Sequence, residues 1–169
     1  MYYALYASPV GQLLLTAQDD ALTGLWIHRQ PPVQAIHDPA HPVLVRTMSW
    51  LDGYFRGEEL PPPCPLRPAG TPFQQQVWQI LLTIPWGTVR SYGDIAREMA
   101  MLTGKETMSA QAVGNAVGRN PISILIPCHR VVGAKGQLTG YAGGLEKKVL
   151  LLRHEGWTIN SSNAKERVI

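Results

Sequence analysis

Cysteine is scarce in this chain: 169 residues hold two, Cys64 and Cys128. Two cysteines cannot supply the bridge framework of a small secreted domain. They stand in unlike surroundings, PPPCPLRP and IPCHR, and no CxxC spacing joins either one to a metal-ligating cluster. A structural zinc site is therefore not expected, and no metal is assigned. Long apolar runs are also missing, none approaching the roughly 20 residues of a membrane span. The opening MYYALYASPVGQLLL has no basic stretch ahead of an apolar core, so it does not read as a signal peptide. These absences lead us to expect a soluble, cytoplasmic protein without a membrane partner. What is present is 45% hydrophobic residues, enough for one ordinary domain or two small packed ones.

Charge is unevenly spread. Residues 1–69 carry four arginines against six acids, whereas residues 70–169 carry eleven basic residues against six acids. The net charge of +3 and pI near 9.0 thus belong to the second part, where either a solvated surface or a polyanion-binding face accounts for them. The first part alternates in β style through Tyr2–Tyr6, Gln12–Thr16 and Leu22–Ile27. SPVG and QDD act as turns between the runs, which predicts a three-stranded antiparallel meander. Val43, Leu44, Thr47, Met48, Leu51 and Phe55 form a helical stripe that Gly57 ends. Five prolines between Leu60 and Gly70 then predict an extended linker. The expected domains are 1–69 and 70–158, with a polar, frayed tail over 159–169.

The second part reads as helical. Thr71 and Pro72 start one helix, Ser91 with Asp94 caps a second, and Ser109 opens a third that Asn120-Pro121 ends. The last two, joined through Gly104, make a helix-turn-helix candidate. Ala110, Ala112, Gly114, Ala116 and Gly118 leave the third helix nearly without bulk. Such a helix suits either tight helix packing or a close, sequence-indifferent approach to a DNA groove, because a base reader would carry long polar arms. Ile122–Ile126 reads as a buried strand stopping at Pro127, after which come Cys128, His129 and Arg130. A lone cysteine is most often a small core hydrophobe. Here the basic neighbours favour a thiolate, and a base held by a third group, of which Glu155 is one candidate, would complete a nucleophilic triad.

Ile124–Val132, ILIPCHRVV, resembles the active-site signature of the O6-alkylguanine-DNA alkyltransferases, the methylated-DNA–protein-cysteine methyltransferases. TPF with Val77-Trp78, PWG with Ser91-Tyr92, GRNP at 118–121, YAGG at 141–144 and HEG at 154–156 are similar to that family in the same order. The resemblance covers nearly all of 71–157 and is looser before it. It implies an α/β N-terminal domain of ribonuclease-H-like type, a three-stranded antiparallel sheet plus helix, followed by a mainly helical winged helix-turn-helix domain. It also implies direct repair of DNA: irreversible, single-turnover transfer of an alkyl group from O6-alkylguanine to Cys128, with no dissociable cofactor. O4-alkylthymine is a second candidate substrate. The expected partner is double-stranded DNA containing alkylated guanine, bound by a monomer.

The family's roles, carried over residue by residue, make Cys128 the nucleophile and His129 its base through a water, with Glu155 orienting the imidazole. Tyr92 would donate a proton to the ring nitrogen N3, and Asn120 would tie the helix-turn-helix to the active-site strand. Backbone groups at Cys128, Val131 and Ala142 would read the guanine edge, with Tyr141 as a pocket wall. Ala112, Gly114, Arg119 and Arg130 fall among the DNA-contacting residues. One departure stands out. Where many members have an intercalating arginine at the start of the second helix, this chain has Gln111. Two other readings compete. A Cys128–His129 hydrolase would turn over, although papain-type enzymes hold that pair far apart in sequence. A non-enzymatic lesion binder of the same fold would lack the motif cysteine, which is present here.

Overall fold

Turns at Ser8–Gly11 and Gln18–Ala21 fold the start of the chain into β1 (Tyr2–Ser8), β2 (Gly11–Gln18) and β3 (Ala21–Ile27), each antiparallel to the next. The computed structural model describes residues 1–160 and 167–168. The expected three-stranded meander gains a fourth member. β4 (Ile36–His37) pairs parallel with β1, giving a mixed sheet of order β3-β2-β1-β4. β2 lies inside the sheet, and Leu13 to Ala17 are all buried there because both of its faces are covered. α1 (Pro42–Phe55) packs across β1, β2 and β3 through its buried side, which includes Val43, Leu44, Leu51 and Tyr54.

The proline-rich stretch bends at Pro63 and Cys64 and is tied to the sheet. The Leu22 amide donates to Pro65 O at 2.9 Å, and the Arg67 amide donates to Leu22 O at 2.8 Å. Prolines cannot donate, so this edge of β3 is covered by the few backbone groups the stretch still offers. Further along β3, the Leu25 amide donates to Pro121 O and the Ser123 amide to Leu25 O, both at 2.9 Å. Residues 121–125 therefore belong to the same compact unit as 1–69, while the other unit comprises 70–120 and the described residues from 126 onward.

That second unit is mainly helical: α2 (Pro72–Leu81), α3 (Tyr92–Thr103), α4 (Ala110–Gly118) and α5 (Leu145–His154). β5 (Arg90–Ser91) pairs parallel with β6 (Val131–Val132). The tail differs from expectation. β7 (Ile159–Asn160) pairs antiparallel with β8 (Arg167–Val168), because Ile159 and Val168 are apolar and bury against Val132, Leu138, Val149 and Leu152. Residues 161–166 and 169 of that expected tail lie outside the described residues. No helix among the described residues is long and apolar enough to cross a membrane.

Candidate active site

Three capped helices set the frame. Thr71 accepts from the Gln74 amide while Gln74 reaches back to the Thr71 amide, and Ser91 and Asp94 repeat the device on α3. Ser109 caps α4 by accepting from the Ala112 amide. Gly104 ends α3 at φ +68°, a left-handed position that turns the chain toward α4. α4 buries Val113, Ala116 and Val117, and Trp78 of α2 donates its indole N–H to Ala116 O at 2.9 Å. Its other side stays open. Gln111, Asn115, Gly118 and Arg119 are exposed and Ala112 and Gly114 half-buried. Gln111, Gly114 and Asn115 line one groove with Tyr92 and Arg97, and Gly114 and Arg119 line another with Thr71 and Phe73.

The approach to Cys128 is not the buried strand that its apolar run suggests. Ile122–Ile126 is buried but irregular, and Ile124 sits at φ +70°, a conformation that a β-branched residue adopts only under strain. Among the described residues the segment makes a single bridge, Ile122 to Leu25, and then turns. Asn120 holds its far end, donating from Nδ2 to Ile126 O at 2.8 Å. Pro127 leads into a 3₁₀ turn, Cys128–Arg130, and then β6.

His129 and Glu155 are both buried, and His129 Nε2 lies 2.8 Å from Glu155 Oε1. With Nε2–H donated to the carboxylate, the lone pair falls on Nδ1, which is buried and has no hydrogen-bond partner among the described residues. Arg130 completes the group. Its Nε donates to Glu155 Oε2 at 2.9 Å, its Nη2 to Oε1 at 2.8 Å and its Nη1 to Ile84 O at 2.6 Å. Burial pushes the Glu155 carboxyl up, yet His129 and Arg130 together outweigh it and hold the group at about 2. Burial lowers the His129 imidazole, and the Glu155 carboxylate opposes that fall without cancelling it, the Arg130 charge siding with burial. The resting state is thus ionised Glu155, neutral His129 and charged Arg130, in which the imidazole is ready to take a proton.

Cys128 runs against expectation. Its basic neighbours do not lower the thiol, because burial pushes it up and the guanidinium next to it is engaged by Glu155. The Asn120 side chain, the charge of Lys148 and the nearby Tyr141 hydroxyl oppose that rise without cancelling it. The thiol is the resting form.

The residues expected at the site fall into distinct places. Cys128, Tyr92, Gly114, Tyr141 and Ala142 line one cavity of about 200 Å³ together with Val117, Gly118 and Gly140. Tyr92 is pushed up by burial and donates its hydroxyl to Thr139 O at 3.2 Å. The Val131 amide donates to Cys128 O, and its carbonyl accepts from Lys148. Gln111, Ala112 and Arg119 stand outside the cavity on α4. Arg130, expected among the DNA contacts, turns inward instead: its side chain is only 11% exposed and its donors are taken by Glu155 and Ile84. Lys148 was not singled out by sequence reasoning. Its signal is its place on the buried side of α5 with Leu151 and Leu152, at spacings of three and four.

Two family models match the chain. The 6-O-methylguanine DNA methyltransferase DNA binding domain covers 72–157, and the ribonuclease-like domain of the same family covers 1–68. The methylated-DNA–protein-cysteine methyltransferase of Mycobacterium leprae is 45% identical over 150 residues, 88% of each chain. That of Methanosarcina acetivorans is 41% identical over 161 residues, covering 92% of this chain and 99% of its own. A crystal structure of Mycobacterium tuberculosis OGT in complex with DNA is similar at a TM-score of 0.82 and 42% identity, covering 92% of both chains.

Proposed function

This chain belongs to the 6-O-methylguanine DNA methyltransferase family, and from that premise we propose that it repairs DNA by moving the alkyl group of O6-alkylguanine onto Cys128. The observation that carries the reading is the cavity of about 200 Å³, on the order of one purine, lined by Cys128 and two tyrosines. Behind Cys128 stands a neutral histidine oriented by an ionised carboxylate. Cys128 Sγ attacks the alkyl carbon, the carbon–O6 bond breaks, and the electron pair leaves with the purine. The thiol proton passes to His129 Nδ1 through a water as attack proceeds, so a thiol that rests protonated is no obstacle. Tyr92 turns its hydroxyl from Thr139 O to N3 of the departing base and neutralises the charge developing there. The product is a thioether on Cys128 and an intact guanine. No residue at the site cleaves a thioether, and the protein acts once.

The substrate is double-stranded DNA, bound by a monomer in the cytoplasm. The target atom lies inside the duplex, so the nucleotide must be extruded into the cavity. The open side of α4 meets the DNA: Ala112 and Gly114 permit close approach, Arg119 contacts phosphate, and Gln111 fills the vacated space. The Cys128, Val131 and Ala142 backbone then faces the base edge, and Asn120 keeps the Cys128 segment in register with α4. Arg130 acts inward, by fixing Glu155.

The test is intact mass after mixing with an oligonucleotide duplex holding O6-methylguanine. One methyl group should appear, on the peptide containing Cys128, with no second turnover, and Cys128→Ser should bind DNA without transfer. Methylation on Cys64, or transfer by Cys128→Ser, overturns the assignment, and multiple turnover would indicate a hydrolase.

A further inference from the structure

We propose that Lys148 is a positioning residue for the transfer: its ammonium fastens the cavity wall, and the carbonyl that holds Tyr92, to the backbone just beyond Cys128. The inference rests on the alkyl-transfer reading above. Lys148 lies on α5 and is 0% exposed. Among the described residues no carboxylate pairs with it. Its Nζ instead donates to Val131 O at 2.6 Å, Thr139 O at 3.3 Å and Gly140 O at 3.3 Å. An ammonium has three N–H donors, and here three carbonyls meet them.

Those carbonyls are not equivalent. Val131 is the third residue past Cys128, and its amide donates to Cys128 O. Thr139 O is the acceptor of the Tyr92 hydroxyl, and Gly140 begins the Gly140–Ala142 stretch that lines the cavity. One charged group thus joins the nucleophile's segment, the wall and the proton donor. Nζ also lies 5.9 Å from the centroid of the Tyr92 ring. Burying an ammonium without a counter-charge is costly, and methionine or leucine would fill the same space more cheaply. What an apolar side chain cannot do is gather three carbonyls.

Protonation is therefore part of the device, because a neutral amine keeps two N–H donors for three acceptors. Burial pushes Lys148 down to about 8, against the pull of Cys128. The groups that face it titrate elsewhere. Tyr92 of α3 and Cys128 are pushed above 10.0 and 9.0, and His129 below 6.5, with the Arg130–Glu155 pair behind it. Near pH 8, Lys148 is the group whose charge changes.

The experiment compares single-turnover methyl transfer from an O6-methylguanine duplex, at saturating protein, by wild type and Lys148→Met across pH 6–10. A placement error of about 1 Å costs roughly 100-fold. Lys148→Met should therefore be slower by about that factor at pH 7, with duplex affinity unchanged. Because the Lys148 charge also lowers the Cys128 thiol, the ionisation of Cys128 is followed in each protein by iodoacetamide alkylation, and the ratio of the two rates, corrected for it, should shrink as pH rises through about 8. Lys148→Arg, which keeps its charge at high pH, should lose less rate than wild type above pH 8, and it serves if Lys148→Met does not fold. A ratio independent of pH, equal rates, or a loss confined to duplex affinity overturns the proposal. Absence of transfer by wild type would overturn the alkyl-transfer reading itself, a separate result.

Discussion

Replacing Arg130 with methionine should destabilise the second unit by an amount that depends on pH in a definite way. In the wild type Glu155 stands at about 2 against an ordinary 4.5, and its side chain is fully buried. At about 1.4 kcal/mol per pH unit of displacement, that fall represents on the order of 3 kcal/mol. The figure agrees with the roughly 3–5 kcal/mol expected when one partner of a buried ion pair is removed. Because the folded-state value is depressed, the stabilisation is fully present above the unfolded value near 4.5. It is lost as pH falls toward 2. His129 supplies the larger part of that fall and Arg130 the rest, so Arg130→Met should cost at most about 3 kcal/mol at pH 7, read as a lower urea midpoint followed by tryptophan fluorescence. The gap between variant and wild type should narrow steadily below pH 4.5. In a Glu155→Gln background the same replacement should cost less, since no carboxylate remains to be left unpaired. A gap that stays constant from pH 7 to the acid limit of folding would refute the argument, because it would mean that Arg130 contributes packing rather than charge.

In the absence of DNA, Cys128 should react with iodoacetamide more slowly than an ordinary cysteine at pH 7, with a midpoint above 9.0; a midpoint below that value would contradict the burial of the thiol. The same raised value means that the stabilisation Cys128 contributes is present below the unfolded value and fades as pH rises beyond it, which alkaline unfolding of wild type against Cys128→Ala would detect. Ala112→Glu or Gly114→Glu should abolish duplex binding at moderate salt while thermal unfolding stays near wild type; equal affinity would mean that α4 does not face the DNA. Gln111→Ala should slow repair in duplex DNA with little effect on the free base, and Gln111→Arg should tighten duplex binding, since a guanidinium can stack where an amide cannot. Duplex repair by Gln111→Ala at the wild-type rate would assign the plug to another residue.

What could be read in advance follows the range of each interaction. Thr71, Ser91 and Ser109 signal their helices because a cap and its target amide lie three residues apart, and the structure forms each bond. Cys128-His129 was legible through a short motif. Lys148 was not, because nothing in LEKKVLLLRH says that Val131, Thr139 and Gly140 will converge on one nitrogen. Arg130 was misread for a similar reason. Its sequence neighbours suggest an outward charge, whereas its partners lie 46 and 25 residues away. The thiol was misjudged because sequence displays adjacent charges but not burial. Ile122–Ile126 has the composition of a strand and lacks a neighbour to continue pairing with after Ile122.

That last segment also sets an order of events during synthesis. The Leu25 amide and carbonyl find their partners at Pro121 and Ser123, so the sheet unit cannot be completed when residue 69 leaves the ribosome. It must wait for about 56 more residues, about 3–11 s at the usual 5–20 residues per second. Throughout that interval one edge of β3 is only part-covered, by the proline-rich stretch at Leu22. The closing strip arrives just before Cys128 is made, and the nascent chain receives that cysteine only once the sheet can be finished.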